Sequence, residues 1–167
     1  KLKAPPEPLS LIQAENALAS AIQSKEQSLS ALPRAYDDGY SSATSGFTDL
    51  ADAMISLQDI LLTSTVGTAS QWNMDYYAGV VQPFDDTAVS YRNNAYDTYR
   101  AARSALDAAL ALFKITSRSS PTSEIENLVS SAYRAAALVS EAVKNASTLI
   151  HFYQDTLNAR GTRPISA

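Results

Sequence analysis

Apolar residues recur at intervals of three and four along several stretches of the chain, the spacing that places side chains on one face of an α-helix. Sustained alternation of apolar and polar residues, which marks a β-strand, does not occur in the sequence. We therefore predict an all-α protein. Four helices of roughly 20 to 35 residues joined by short links favour an up-down-up-down four-helix bundle.

The first two helices are predicted on either side of a break near Pro33. Proline lacks an amide donor and clashes with the preceding turn, so it is expected to end the first helix. The sequence Asp37-Asp38-Gly39 that follows is typical of a turn. The stripe of the first helix comprises Leu11, Leu18, Ile22, Leu29 and Leu32, with Glu15 and Lys25 in the same seam. The stripe of the second helix comprises Phe47, Leu50, Met54, Leu57 and Leu61.

Two long helices are predicted in the second half of the chain. Pro83 and the two aspartates after Phe84 favour a helix start, because proline suits the first turn and acids suit the positive end of the helix dipole. Ser123 and Glu126 match a capping box at the start of the last helix, with Ser120 ahead of Pro121 as a competing cap, and this helix is expected to run to about Asn158. Alanine occupies many stripe positions in both helices, so the two should pack closely.

The domain organisation follows from these elements. Residues 1–8 are predicted to form an extended arm, because their prolines withhold amide donors and favour extended backbone. Residues 9–160 form a single helical-bundle domain, and residues 161–167 form a C-terminal tail. Within the domain, the segment 68–81 is predicted as either a short fifth helix or a packed aromatic loop.

Charge and cysteine content exclude several classes of function. The chain has 167 residues, 13 basic and 17 acidic, and a net charge of -4. This balance argues against a nucleic-acid partner, because neutralising phosphates requires an excess of Lys and Arg. The absence of cysteine excludes a disulfide framework and a thiolate nucleophile. A chain of this length can bury around 70% of its unfolded surface, so it should fold without a disulfide or a metal.

The polar surface is predicted to consist mainly of hydroxyl groups. Only 18% of the residues are charged, whereas the sequence contains 22 Ser and 12 Thr. This composition, together with a first residue that is Lys, favours a secreted protein at the cell surface or outside the cell, with its signal peptide removed. Asn145-Ala146-Ser147 is a glycosylation sequence, and Asn145 would be its acceptor in a secreted protein.

Catalytic residues are scarce in the sequence. The one histidine, His151, would need a nucleophile and an orienting partner to act as a general base, and no recognised motif supplies them. Adjacent acids such as Asp85 and Asp86 point about 100° apart on a helix, so they do not converge on one proton or ion. We therefore expect no enzymatic activity, no metal site and no cofactor.

The tyrosines are the unusual feature of the sequence, because their hydroxyls can form hydrogen bonds. Tyr91, Tyr99 and Tyr153 fall on the inward stripes of the two C-terminal helices. A buried phenol needs a hydrogen-bond partner, so these side chains either bond to protein groups or orient the head group of an apolar ligand held between helices. Hydroxyls at the bundle rim, exposed to water, are the alternative.

A second group of aromatic residues lies in the segment 68–81. Trp72 and Tyr76 are four residues apart and share a face if the segment is helical, with Tyr77 beside them. This group is predicted either to cap the core or to touch a ligand, a membrane or another hydrophobic surface.

These observations favour a non-enzymatic secreted helical bundle that binds an apolar ligand, such as a fatty acid or other lipid, or a hydrophobic surface. One alternative is a self-assembling structural, filament or coat subunit, whose long seams continue between copies in a homo-oligomer. Another is a secreted effector-like interaction protein. The bundle interior discriminates between them: a dry core with paired tyrosine hydroxyls favours binding at the surface, and an apolar tunnel favours an enclosed ligand.

Overall fold

A computed structural model describes residues 8–67 and 70–165. Of these residues 83% are helical, and among them there is no strand. The helices are α1 (Pro8–Leu62), α2 (Asn73–Val81), α3 (Thr87–Ile115) and α4 (Thr122–Asn158). The predicted all-α four-helix fold is confirmed, with the short helix predicted in the segment 68–81 as its second member. Most of the predicted arm and the end of the predicted tail lie outside the described residues.

The predicted break near Pro33 is wrong, because α1 continues through it for 55 residues. Contacts between α1 and the rest of the bundle lie just after the proline. Tyr36 donates a hydrogen bond to Glu126 of α4, and Arg118 donates to Asp37 over 3.0 Å. The helix continues although the helix propensity of proline is about 3 kcal/mol below that of alanine.

The starts of α3 and α4 differ slightly from those predicted. Helix α3 begins at Thr87 rather than at Pro83, because the carboxylate of Asp85 accepts hydrogen bonds from the Thr87 amide and hydroxyl over 2.9 and 2.7 Å. The predicted capping box of α4 is wrong: Pro121 is the cap residue, and no side chain bonds to the free amides. Glu126 instead accepts the hydrogen bond from Tyr36.

Helices α1 and α4 lie side by side and run in the same direction. The first turns of α4 contact α1 at Tyr36, and the end of α4 carries His151 beside Leu57. Helix α3 runs the opposite way, since its end contacts the middle of α1. There the rings of Phe113 and Phe47 lie 5.3 Å apart.

The core lies between the second half of α1 and the other three helices. Helices α3 and α4 make the most extensive contact, and alanines at their interface allow the close approach that the sequence predicts. The buried residues of α1 are Ala43, Phe47, Met54, Leu57 and Leu61. Those of α3 are Ala88, Ala95, Tyr99, Ala102, Leu106 and Ala109. Those of α4 are Ile125, Leu128, Ala135, Val139, Ala142, Ala146, Leu149, Tyr153 and Leu157.

The first half of α1 projects beyond the bundle. All side chains from residue 12 to residue 35 are exposed, and the apolar stripe side chains Leu18, Ile22, Leu29 and Leu32 are 49–62% exposed. Burial of this stripe in the bundle, which the sequence favours, is therefore wrong. The reason is length: α4 first meets α1 near Leu32, and the twenty or so residues before it extend for about 30 Å.

Candidate functional site

Three of the predicted ligand-binding tyrosines come together at the α2 end of the bundle. The rings of Tyr77 and Tyr153 lie 5.1 Å apart, and the ring of Tyr76 lies 6.3 Å from each of them. Tyr77 and Tyr153 are buried, whereas Tyr76 is half-buried. Gly67 closes the cluster on one side, since a Cβ atom there would lie 2.9 Å from the Tyr76 ring. The cluster is therefore a packed part of the core.

The other three predicted residues do not converge with this cluster. Trp72 is 41% exposed and lies against Tyr96, with 6.0 Å between ring centroids. Tyr91 packs on Phe152 at 4.7 Å. Tyr99 is buried farther along α3. Each of the three thus has its own aromatic or polar neighbour in place of a shared ligand cavity.

Two of the buried tyrosines, Tyr99 and Tyr153, bond to the protein itself through their hydroxyls. Tyr99 donates to Oε1 of Gln58 over 3.4 Å, and the hydroxyl of Tyr153 accepts a hydrogen bond from the Ile165 amide over 3.1 Å. Burial raises the pKa of Tyr153, and burial with the nearby Tyr153 raises that of Tyr77. Among the described residues, no buried side-chain nitrogen or oxygen lacks a hydrogen-bond partner. This pairing of buried polar groups is the arrangement that favours binding at the surface.

Asn73 is a buried polar residue that the sequence pattern does not single out. Its Oδ1 accepts hydrogen bonds from the amides of Thr65 and Val66 over 2.9 and 3.1 Å. Its Nδ2 donates to the hydroxyls of Thr63 and Thr65, each over 2.9 Å, and to a carbonyl oxygen of α1. Asn73 thus has a structural role, holding the link between α1 and α2 against the core.

An open groove runs along the surface between α1 and α4, and we call it the α1/α4 groove. Its widest part has a volume of about 660 Å³. The residues lining this part are Leu32, Ala35, Tyr36, Gly39, Ile125, Glu126, Val129, Ser130 and Tyr133. Its walls are mainly apolar, and Tyr133 stands 77% exposed at its edge.

The groove continues along both helices. A second part of about 390 Å³ shares Gly39, Val129 and Tyr133 with the first and extends to Leu50. Farther along the same two helices, a separate depression of about 480 Å³, which shares no lining residue with these two parts, ends at His151. Small residues on α1 open this path, since a Cβ atom at Gly46 would have no neighbour within 4 Å. The apolar surface thus extends over most of the length of α4.

The charged groups near the groove are paired or acidic. Tyr36 donates to the carboxylate of Glu126, and this hydrogen bond, more than any other effect, raises the pKa of Tyr36. The guanidinium of Arg118, at the nearby end of the bundle, donates to Asp37 and Ser41 over 3.0 and 3.1 Å. No basic side chain lines the widest part of the groove. The site suits an apolar group without negative charge.

The groove residues form a second apolar stripe that the sequence analysis did not use. Val129, Tyr133, Ala136 and Val143 of α4 keep helical spacing beside the core stripe, and Val129, Tyr133 and Val143 are exposed. This second stripe is the signal that could have found the groove. A comparable depression between α3 and α4 contains Ser104, Ser131 and Arg134, so it is more polar.

Asn145 is half-buried on the face of α4 that meets α3. Its amide nitrogen, the atom that glycosylation would modify, donates to Oγ1 of Thr98 over 3.4 Å. Attachment of a glycan would have to replace this hydrogen bond. Elsewhere in the described ranges, no three His, Asp or Glu side chains cluster closely enough to hold a metal ion.

Comparison with models of known protein families, with curated proteins and with solved structures finds no significant match to this chain. Within residues 8–67 and 70–165, no helix combines the length and apolar character needed to cross a membrane.

Proposed function

We propose that this protein is a non-enzymatic binding protein that holds an uncharged apolar ligand, or the edge of a hydrophobic surface, along the α1/α4 groove. The observation that carries the proposal is the open, mainly apolar groove of about 660 Å³ beside a core whose polar atoms are already paired. Apolar concave surfaces with a few polar groups are the usual form of small-molecule sites. The low charge and hydroxyl-rich composition support an extracellular setting for this binding.

The charge around the groove selects among apolar ligands. The carboxylate of Glu126 faces the widest part, and its neighbour Tyr36 supplies no positive charge. A fatty-acid carboxylate placed there would be repelled, whereas a long-chain alcohol or a sterol would not. Each methylene group removed from water contributes about 0.8 kcal/mol, so affinity should rise with chain length.

Fluorescence titration with a neutral environment-sensitive dye such as Nile red tests the proposal. We expect saturable binding that a long-chain alcohol displaces and that Val129→Ser weakens by about fivefold, because the substitution removes apolar surface from the groove wall. Val89→Ser is the matched control, since Val89 is a similarly exposed valine on α3 and should leave binding unchanged.

The charge argument has its own test. Glu126→Gln should strengthen binding of a fatty acid and leave that of the alcohol of equal length nearly unchanged. Failure of the dye and of every apolar chain to bind would overturn the proposed function. Equal effects of Val129→Ser and Val89→Ser would show that the ligand lies elsewhere.

The second candidate function is that of a self-assembling subunit. The projecting half of α1 favours it, because a helix with an apolar stripe exposed on one side is stable in water mainly when a partner covers that stripe. Light scattering over a concentration series tests this candidate, and a monomer at every concentration would exclude it.

A further inference from the structure

The exposed stripe on the projecting half of α1 contains two charges at defined places. Its described members are Glu15, Leu18, Ile22, Lys25 and Leu29, which we call the projecting stripe. Their spacing of three and four residues is the heptad spacing of a coiled-coil seam. All five side chains are exposed, and no residue within the described ranges packs over them. The seam therefore lacks its second helix.

The projecting stripe has the same spacing when it is read in either direction from residue 20. Leu18 and Ile22 lie two residues from that centre, and Glu15 and Lys25 lie five residues from it. Leu29 lies nine residues away, and the residue at the same distance on the other side is Leu11 in the sequence. Apolar positions thus match apolar positions, and the acidic position matches the basic one.

We propose that a second copy of this chain covers the projecting stripe in an antiparallel two-stranded coiled coil centred on residue 20. In this register Glu15 of each copy faces Lys25 of the other, and Leu18 faces Ile22. The seam then has a central apolar region flanked on each side by a layer that contains an ion pair. The inference rests on the second candidate function, self-assembly, and specifies the surface and the geometry through which it occurs.

Charge selects the antiparallel arrangement. In a parallel pair in register, Glu15 would face Glu15 and Lys25 would face Lys25, so that both layers would bring like charges together inside the seam. Such contacts are unfavourable and are a usual means of excluding a wrong alignment. The other charge between residues 12 and 31 is Glu26, which the antiparallel register places opposite Ala14.

The shape of the molecule also suits the antiparallel arrangement. The bundle of each copy begins near Leu32, at one end of the projecting segment. Antiparallel pairing puts the two bundles at opposite ends of the coiled coil, about 36 Å apart, where they do not collide. Ala14, Ala21 and Ser28 line one side of the stripe, and their small side chains allow the two helices to approach closely.

A lipid surface is a weaker candidate for the same stripe. Glu15 and Lys25 would enter the apolar medium without partners, which is costly for a charged group. In the coiled coil each of these charges instead has an opposite charge facing it.

Charge reversal in the full chain tests the inference. Sedimentation equilibrium should detect a dimer whose dissociation constant rises by about tenfold or more in Lys25→Glu, because two like-charge layers then form. The double variant Glu15→Lys with Lys25→Glu should restore dimerisation, since the pairs form again with their charges exchanged. Lys144→Glu, on the exposed face of α4, is the matched control and should have no effect.

Cross-linking tests the direction of the helices, and the chain is suited to it because it has no cysteine. When Leu18→Cys and Ile22→Cys chains are mixed and oxidised, the antiparallel register predicts disulfides between the two different variants. A parallel pair predicts disulfides between identical variants. All these substitutions lie outside the core, so they should leave the thermal midpoint of the bundle unchanged. An unchanged midpoint will show that the variants are folded.

The outcomes separate the inference from the candidate function. A monomer at every concentration would overturn both. Self-association that resists Lys25→Glu, or that joins identical cysteine variants, would overturn the antiparallel stripe and leave self-assembly standing. Dimer loss with Lys25→Glu and recovery in the double variant would support both.

Discussion

Asn73 joins the end of α1 to the start of α2 through a buried side chain with hydrogen bonds at both of its polar atoms. We predict that Asn73→Ala lowers the free energy of unfolding by about 2 to 4 kcal/mol, because the amides of Thr65 and Val66 would lose their acceptor. Urea unfolding followed by circular dichroism measures the change.

Asn94→Ala is the control for this prediction, because Asn94 is exposed on α3 and the same substitution there removes no buried hydrogen bond. It should leave stability unchanged or raise it slightly, since alanine favours helix. Equal stability of the two variants would contradict the role assigned to Asn73.

Two glycines differ in the space around them, which gives opposite expectations for the same substitution. Gly67→Ala should destabilise the protein by about 1 to 3 kcal/mol, because the new methyl group would push on the Tyr76 ring inside the packed cluster. Gly46→Ala should stabilise it by about 0.5 to 1 kcal/mol, because Gly46 lies in α1 with open space beside it. Thermal unfolding of both variants checks the pair, and a loss of stability in Gly46→Ala would contradict it.

At the scale of the helices, Asp85 fixes where α3 begins. The hydroxyl and then the amide of Thr87, by donating hydrogen bonds, lower the pKa of the Asp85 carboxyl group. A group with a lowered pKa contributes stability above its unfolded-state pKa and loses it as the pH falls through the folded-state value. Asp85→Ala should therefore lower the thermal midpoint at neutral pH, and its difference from the parent should shrink between about pH 4 and pH 2.

Asp86→Ala is the control, since Asp86 is the neighbouring exposed acid and its side chain makes no hydrogen bond with a described residue. It should change the midpoint less than Asp85→Ala does at neutral pH. A difference between parent and Asp85→Ala that stays constant down to pH 2 would show that the carboxylate is not the stabilising group.

The helices show how far local pattern determines structure. The buried residues of α4 from Ile125 to Tyr153 recur at intervals of three, four or seven, so the local pattern accounts for the buried face of this helix. The equally regular stripe of the projecting segment predicts a helix but not its burial. Periodicity indicates which side chains share a face of a helix. Whether that face of α1 is covered depends only on how far α3 and α4 extend along it. The break predicted at Pro33 is wrong for a related reason, since the contacts that α1 makes just after it are with Arg118 and Glu126, which are distant in sequence.

At the scale of the whole molecule, none of the aromatic residues that the sequence singles out for ligand binding lines the α1/α4 groove. The inward tyrosines are predicted either to bond to protein groups or to orient a ligand, and in the structure Tyr99 bonds to Gln58 and Tyr153 to the Ile165 amide. The α1/α4 groove depends on two helices that are distant in sequence running parallel. This parallel arrangement cannot be inferred from the sequence of either helix alone. The sequence does show that Val129 and Tyr133 are apolar residues at helical spacing.

The division between bundle and projecting segment gives a prediction for the whole chain. A variant that begins at Ala31 should keep the thermal midpoint of the bundle within about 3 °C, because the first core residue among those described is Ala43. Its circular dichroism should lose only the helical signal of the removed segment. A variant that begins at Ser45 also removes Tyr40 and Ala43 from the core and should melt at lower temperature. If the Ala31 variant unfolds, the projecting segment contributes to bundle stability, which would contradict this prediction.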